Sequence, residues 1–329
     1  MELYVREPGS SLTKEGERVI IRREGTTVAE LPFAAVEHVR LVGSGVHVST
    51  PLLHALLDAA IPVSFLSTHG HYRGQLVAGG EGGASLRQAQ YAATLQPARC
   101  LPIAQAIVAG KLRNQRFLLR RHGERQRAAM LPLRTTLAAA ISRARAARSV
   151  DALRGIEGTG ARIYFSGLGL LLPPCAAFTM RSRRPPRDLG NALLGYGYAA
   201  LLAECVLAIR VIGLDPALGC LHQPHHDQPA LALDLMEEFR PLIVDAAVLD
   251  LTCRHRITEE DGMAQDGGVR LSVRARGLLI TAIEERLATR RMGEWSTEPL
   301  ALRDLVRRQG RLLRDALLGR AVYAPLPLP

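Results

Sequence analysis

The sequence predicts an α+β fold: a small N-terminal β-rich domain over residues 1–83, followed by a larger, mainly α-helical domain over residues 84–329. Three observations carry this reading. Short β-rich segments broken by turn residues fill the first eighty or so positions. The run Gly79-Gly80-Glu81-Gly82-Gly83 then interrupts the chain. Beyond it, apolar residues recur with helical period. With 329 residues, 47% of them hydrophobic, the chain is long and apolar enough to bury a substantial core.

The elements follow in order. Leu3–Arg6, Arg18–Arg23 and Thr26–Leu31 read as strands, with Glu24-Gly25 as the turn between the last two. The alternating segment Val36–Val42 reads as another strand, ending at Gly43-Ser44-Gly45. Ser49-Thr50-Pro51 supplies a helix N-cap before Leu52–Leu57, and the chain returns through the apolar run Ile61–Leu66. The glycine run is a flexible joint, since it has almost no side chains to bury. Helical periodicity then covers segments near 86–95, 101–122, 127–147, 150–171, 191–212 and 230–245. Met263–Val273, centred on Asp266-Gly267-Gly268, reads as a hairpin. A terminal helix places Arg303, Arg307, Arg311 and Arg314 opposite Leu302, Leu305, Leu312, Leu313 and Leu317. No repeat of fixed period is visible.

The formal net charge is +11, and of 42 Lys and Arg only Lys14 and Lys111 are lysine. Arginine forks bind phosphate oxygens bidentately, so the bias suits nucleic-acid backbone, although a GC-rich coding bias leaves the same signature. Aromatic residues make up only 4%, too few for the stacking platforms of single-strand binders, which favours duplex recognition. No apolar run approaches roughly 18 residues and no leader is apparent, so a soluble cytoplasmic protein with no membrane span is expected. Cys100, Cys175, Cys205, Cys220 and Cys253 are scattered and form no C-x-x-C pair, which argues against a disulfide framework or zinc knuckle. They are expected to be buried.

Four constellations could carry chemistry. In Leu231–Arg240, Leu235, Phe239 and Leu242 define a core face, while Asp234 and Glu237 lie together on the neighbouring stripe. A divalent cation would relieve their repulsion; without one they form a solvated acidic edge. The loop Gly213–His222 delivers a histidine just before that helix, and His225 and His226 follow closely enough to compete for the role of ligand. Glu157 lies among Gly155, Gly158 and Gly160, which cost a helix roughly 1 kcal/mol each. Close approach of another backbone or of DNA would justify them; alternatively Glu157 sits in the first turn of a helix. Finally, Arg181-Ser182-Arg183-Arg184-Pro185-Pro186-Arg187-Asp188 is a proline-stiffened basic loop suited to clamping phosphate, as is the arginine stripe of the terminal helix.

Taken together these blocks resemble the catalytic CRISPR spacer-acquisition integrase family. The resemblance rests on Gly155-Ile156-Glu157-Gly158 with Ala161 and Tyr164-Phe165, on Arg183–Asp188 with Asn191–Leu194, and on Gly213–Pro216 with Gly219 and Leu221-His222. Leu231–Pro241 with Asp245 completes it, and Lys111, Asn114 and Gln115 match the family's earlier helical motif. Where the family often has proline and valine before the asparagine, this chain has Leu189 and Gly190, outside the ligand set.

The resemblance implies a β-rich dimerisation domain and a helical catalytic, DNA-binding domain. It assigns Glu157, His222 and Glu237 as metal ligands, with Asp234 as a supporting catalytic carboxylate. Two carboxylates and an imidazole suit Mg²⁺ or Mn²⁺. The implied activity is insertion of captured DNA fragments into a repeat array by attack of a 3′-hydroxyl. The absence of a G-x-x-x-x-G-K-[ST] loop fits a reaction without ATP. The implied partners are double-stranded DNA, a second copy of the chain, a small ferredoxin-like second subunit and an accessory nuclease. Arg181, Arg183, Arg184, Arg187, Arg303, Arg307 and Arg311 are the candidate DNA contacts. The alternatives are a hydrolytic metal-dependent nuclease and a DNA-bridging architectural protein whose acidic cluster is structural.

Overall fold

The computed structural model of the chain describes residues 1–68, 72–78, 84–223, 228–293 and 296–326. The glycine joint expected at Gly79–Gly83 lies outside them. The fold is α+β, strand-rich first and mostly helical after. Two compact units are present, Met1–Glu81 and Gly82–Pro329.

The first unit contains β1 (Glu2–Val5), β2 (Ser10–Glu15), β3 (Arg18–Arg23), β4 (Thr26–Pro32), β5 (His38–Val42), β6 (His47–Val48), α1 (Thr50–Asp58), β7 (Val63–Leu66) and β8 (Tyr72–Leu76). One sheet has the order β1-β5-β7-β8, parallel except for its last pair, and the other has the order β4-β3-β2-β6. Leu12, Val19, Val39, Leu52, Leu56 and Val63 fill the core of this unit. Glu24 and Gly25 both adopt positive φ, as a two-residue turn between β3 and β4 requires. Ser49 caps α1 by accepting a hydrogen bond from the Leu52 amide. The sequence reading missed β2 because its segment is mostly polar. Of its residues only Ser10 and Leu12 point inward, and the strand is held by ladders to β3 and β6.

The second unit contains α2 (Ala84–Thr94), α3 (Pro97–His122), α4 (Arg127–Arg145), α5 (Val150–Leu171), α6 (Leu189–Val211), α7 (Ala230–Met236), α8 (Ala246–Cys253), β9 (Gly262–Gln265), β10 (Gly268–Leu271), α9 (Val273–Ala288), β11 (Arg290–Gly293), β12 (Ser296–Ala301) and α10 (Leu302–Leu317). Helices α3, α4 and α5 pack against one another. Gly160 is needed for that contact, since a Cβ there would stand 2.3 Å from a Leu112 methyl. Gly155 and Gly158, by contrast, face open space.

Several expectations need correction. Glu157 is well inside α5, whose N-cap is Ser149, and not in a first turn. Helix α6 is long and apolar enough by length and composition to cross a membrane, contrary to the reading of no such run. With 78% of its apolar window buried, it is a core helix of this unit. The single helix expected over 230–245 is broken: α7 stops at Met236, and a π-helical turn runs from Pro241 to Asp245. Proline has no N–H to donate to the carbonyl four residues back, that of Glu237, so the regular ladder fails there. Helix α9 and the β11–β12 hairpin were not read, whereas the hairpin at Met263–Val273 is present as β9–β10. Cys100, Cys205 and Cys220 are buried as expected, but Cys253 is exposed.

Candidate active site

Three elements deliver the central groups. Helix α5 supplies Glu157, α3 supplies Lys111, and the turn after α7 supplies Glu237. The Lys111 ammonium donates a hydrogen bond to Glu157 Oε1 and lies 2.6 Å from Glu237 Oε2. On the other oxygen of Glu237, the Arg240 guanidinium stands at 3.0 Å and His222 Nε2 at 3.9 Å.

His222 is held in place by Asp234. That fully buried carboxylate accepts hydrogen bonds from the backbone amides of Cys220, Leu221 and His222 at 2.6, 2.9 and 3.0 Å, and lies 2.7 Å from His222 Nδ1. Gly219 makes this possible, because a Cβ there would stand 2.7 Å from Asp234 Oδ2. With Nδ1 engaged on Asp234, Nε2 is the ring nitrogen left toward Glu237. Arg154 of α5 donates to the Leu221 carbonyl at 2.7 and 2.9 Å and ties the same loop to the Glu157 helix.

The electrostatics of the segment are uneven. Burial pushes the Glu237 carboxyl up, but Arg240, Lys111 and His222 outweigh it and hold the group at about 2. Burial opposes protonation of His222, and the Asp234 hydrogen bond and charge, with Glu237, nevertheless raise it above its ordinary value. Asp245 is different: burial raises it to about 6 despite hydrogen bonds from the Tyr164 and Tyr198 hydroxyls at 2.5 and 2.6 Å. Tyr198 also lies under the guanidinium of Arg240, 4.8 Å from the ring centre, so the site-facing arginine rests on the Asp245 clasp. Glu238 turns away from Glu237. It accepts hydrogen bonds from Tyr323, the Leu326 amide and Gln309, and burial raises it to about 7.

Of the residues singled out in the sequence, Glu157 and Glu237 therefore share the Lys111 ammonium, His222 approaches the other oxygen of Glu237 at 3.9 Å, and Asp234 holds the histidine. Neither Asp234 nor Glu237 forms a solvated edge; both are buried. His225 and His226 lie outside the described residues. In the basic loop, Arg183, Arg184 and Arg187 are exposed, but Arg181 is half-buried and structural. It donates to Asn191 Oδ1 and stacks over Phe165 and Tyr198. On α10 the expected stripe does not hold: Arg303 is buried with Glu284 at 2.7 Å and Glu204 at 3.4 Å, so it faces the unit's interior. Arg307 is partly exposed and Arg311 exposed.

Sequence reading missed a second basic feature. Arg121, His122, Arg286 and Arg291 line a small pocket together with Phe117, Pro241 and Leu242. Burial and then mutual repulsion lower Arg291, and burial, Arg121 and Arg286 lower His122. These residues sit on separate elements, so no local pattern announces them.

The residues present fit a divalent cation. Two carboxylates and an imidazole are an oxygen and nitrogen donor set, and Glu237 Oε2 is buried and accepts no well-directed hydrogen bond. A cation already stands between the carboxylates, in the form of the Lys111 ammonium.

Comparison with known proteins decides the family. The profile of the family described as CRISPR associated protein Cas1 matches residues 3–285. This chain belongs to the Cas1 family. A Cas1 relative from Thermus thermophilus named CRISPR-associated endonuclease Cas1 1 is 40% identical over 332 aligned positions, covering 100% of this chain and 99% of the relative. The fold is shared with a casposase bound to integration product, at a TM-score of 0.85 and 21% identity over 98% of this chain and 92% of that one. It is also shared with a chain of a Cas6-RT-Cas1–Cas2 complex, at a TM-score of 0.81 and 24% identity, covering 99% of this chain and 36% of the other.

Proposed function

We propose that this Cas1-family chain is a divalent-metal-dependent DNA endonuclease and integrase that joins captured duplex fragments to a CRISPR repeat by transesterification. The observation that carries the reading is the Lys111 ammonium seated on both Glu157 and Glu237, with His222 Nε2 3.9 Å from the other oxygen of Glu237. Membership in a family whose named relatives are endonucleases supports it, as does a fold shared with a casposase bound to integration product.

Glu157, His222 and Glu237 would hold Mg²⁺ or Mn²⁺, which supplies Lewis-acid activation of the scissile phosphate. By accepting a hydrogen bond from Nδ1, Asp234 would keep His222 in the tautomer whose Nε2 lone pair is free for the cation. Arg240, fixed on Tyr198, presents positive charge beside Glu237, where negative charge builds on phosphoryl oxygens in the transition state. In the reaction, a fragment's 3′-oxygen forms a new bond to a repeat phosphorus and loses its proton. The repeat strand's 3′-oxygen leaves with the bonding electrons and takes up a proton. One phosphodiester replaces another, so no ATP is consumed.

Affinity would come from arginines outside this centre: Arg183, Arg184 and Arg187 on the basic loop, Arg307 and Arg311 on α10, and the Arg121–Arg286–Arg291 pocket. The β-rich unit would pair two copies of the chain, and a small ferredoxin-like subunit would set the distance between two such dimers. An accessory nuclease would trim the fragment. The test incubates the protein with 3′-OH duplexes and a repeat-bearing plasmid, with and without Mn²⁺. Strand joining that needs both the 3′-OH and Mn²⁺ is expected. Cleavage alone would favour a hydrolytic nuclease, and binding alone an architectural protein.

A further inference from the structure

Lys111 is an anomaly in this chain. Arginine is used at nearly every basic position, yet one of only two lysines is buried, at 4% exposure, between two of the three proposed metal ligands. A planar guanidinium spreads its charge over a wide fork and suits bidentate contact with a single carboxylate. An ammonium is a compact point charge on a flexible stem. Between two carboxylates from different elements, only the second shape mimics a metal ion.

The local packing explains what can move. A Cβ on Gly110 would stand 2.5 Å from Pro325, and Leu112 is pressed against Gly160 of α5, so the α3 backbone is confined on both sides of Lys111. The side chain is the adjustable part. Its contact with Glu237 is close, at 2.6 Å, but Oε2 accepts no well-directed hydrogen bond, so the attraction is that of charge more than of a shaped partner. The charge count is also informative. Glu157 and Glu237 already face Lys111 and Arg240. A dication added among them would repel an ammonium at the same point.

We propose that the Lys111 ammonium is the resident counter-cation of the Glu157–Glu237 pair, holding the two carboxylates in the absence of metal and withdrawing when a divalent ion enters. This rests on the reading of Glu157, His222 and Glu237 as a metal site. Lys111 is thus a positioning residue that competes with the ion. Without a metal, the lysine offsets the charges of the buried Glu237 and the partly exposed Glu157, which Arg240 alone would leave incompletely balanced.

The test compares wild-type full-length protein with Lys111→Met, following thermal unfolding over a Mn²⁺ titration begun in EDTA. The variant is expected to melt at lower temperature in EDTA, and to reach half-maximal stabilisation at a Mn²⁺ concentration about tenfold lower, a shift worth about 1.4 kcal/mol. An unchanged or higher Mn²⁺ midpoint would overturn the proposal. Should the variant fail to fold, reductive methylation of the wild-type protein reads the same event, because Lys14 is an internal reference. Lys111 is expected to be protected in EDTA and modified at least several-fold faster with Mg²⁺, with Lys14 constant. A Lys111 rate indifferent to Mg²⁺ would sink the idea. If neither Mn²⁺ nor Mg²⁺ binds wild-type protein at all, the metal-site reading itself fails, and the two failures are therefore distinguishable.

Discussion

Glu237 and Asp245 are both buried carboxylates on one short segment, and their surroundings send them in opposite directions. Glu237 faces Lys111, Arg240 and His222 and stays ionised, at about 2. Asp245 is held chiefly by two tyrosine hydroxyls, the charges of Arg240 and Arg181 counting for less, and burial raises it to about 6. Hydrogen bonds from neutral donors do not offset the cost of burying a charge as nearby cations do. The difference separates two tasks: Glu237 is kept anionic, as its proposed role as a metal ligand requires, while Asp245 clasps Tyr198 and through it supports Arg240.

The contrast can be broken by substitution. Glu237→Gln is expected to reduce strand joining by 10³-fold or more, as are Glu157→Ala and His222→Ala, with duplex DNA affinity changed only a few-fold. Asp245→Asn should cost far less, about tenfold, because it loosens a support and leaves the donor set intact. Kinetics on a pre-formed fragment and repeat substrate check both; equal losses at the two positions would erase the distinction.

A second way to sharpen it is pH. Asp245 has a folded-state value near 6 against an ordinary 3.8. Between those values the folded chain retains a proton that the unfolded chain has released. This contribution therefore makes stability fall as pH rises from about 4 to about 6, by about 3 kcal/mol, and levels off above. Asp245→Asn should remove that slope. Denaturant midpoints for both proteins across this range measure it, and parallel pH profiles would contradict the assignment.

The smallest effects concern the arginines. Replacing Arg183, Arg184 and Arg187 with Gln should lower the salt slope of DNA binding by about 1 to 3, since each phosphate contact contributes about 0.9. Arg303→Gln should leave that slope unchanged and destabilise the fold by about 3 kcal/mol, because Arg303 is buried with Glu284 and Glu204. Salt titrations of binding and urea melts distinguish the two classes.

These contrasts also mark what the sequence could reveal. The strands of the first unit with alternating apolar residues were legible, but Ser10–Glu15 was not, because it is held by ladders more than by burial. The spacing of Asp234 and Glu237 announced a pair of carboxylates. Their burial depended on α3 and on the Gly219–His222 loop, which are distant in sequence. Pro241 was a local signal of the broken helix. Arg303 lay on an apparent basic stripe, and only Glu204, an acid within the apolar α6, hinted at its inward partner. Helix α6 looks apolar on every side because it is surrounded by protein, a pattern that periodicity cannot reveal.

The central claim, that Glu157, His222 and Glu237 form one metal site, is tested most directly by anomalous diffraction from crystals soaked in Mn²⁺. The account predicts one strong anomalous peak about 2.0 to 2.4 Å from an oxygen of Glu157, an oxygen of Glu237 and Nε2 of His222, lost in His222→Ala. A Mn²⁺ peak elsewhere in the helical unit, with the Lys111 ammonium still between the two glutamates, would contradict it.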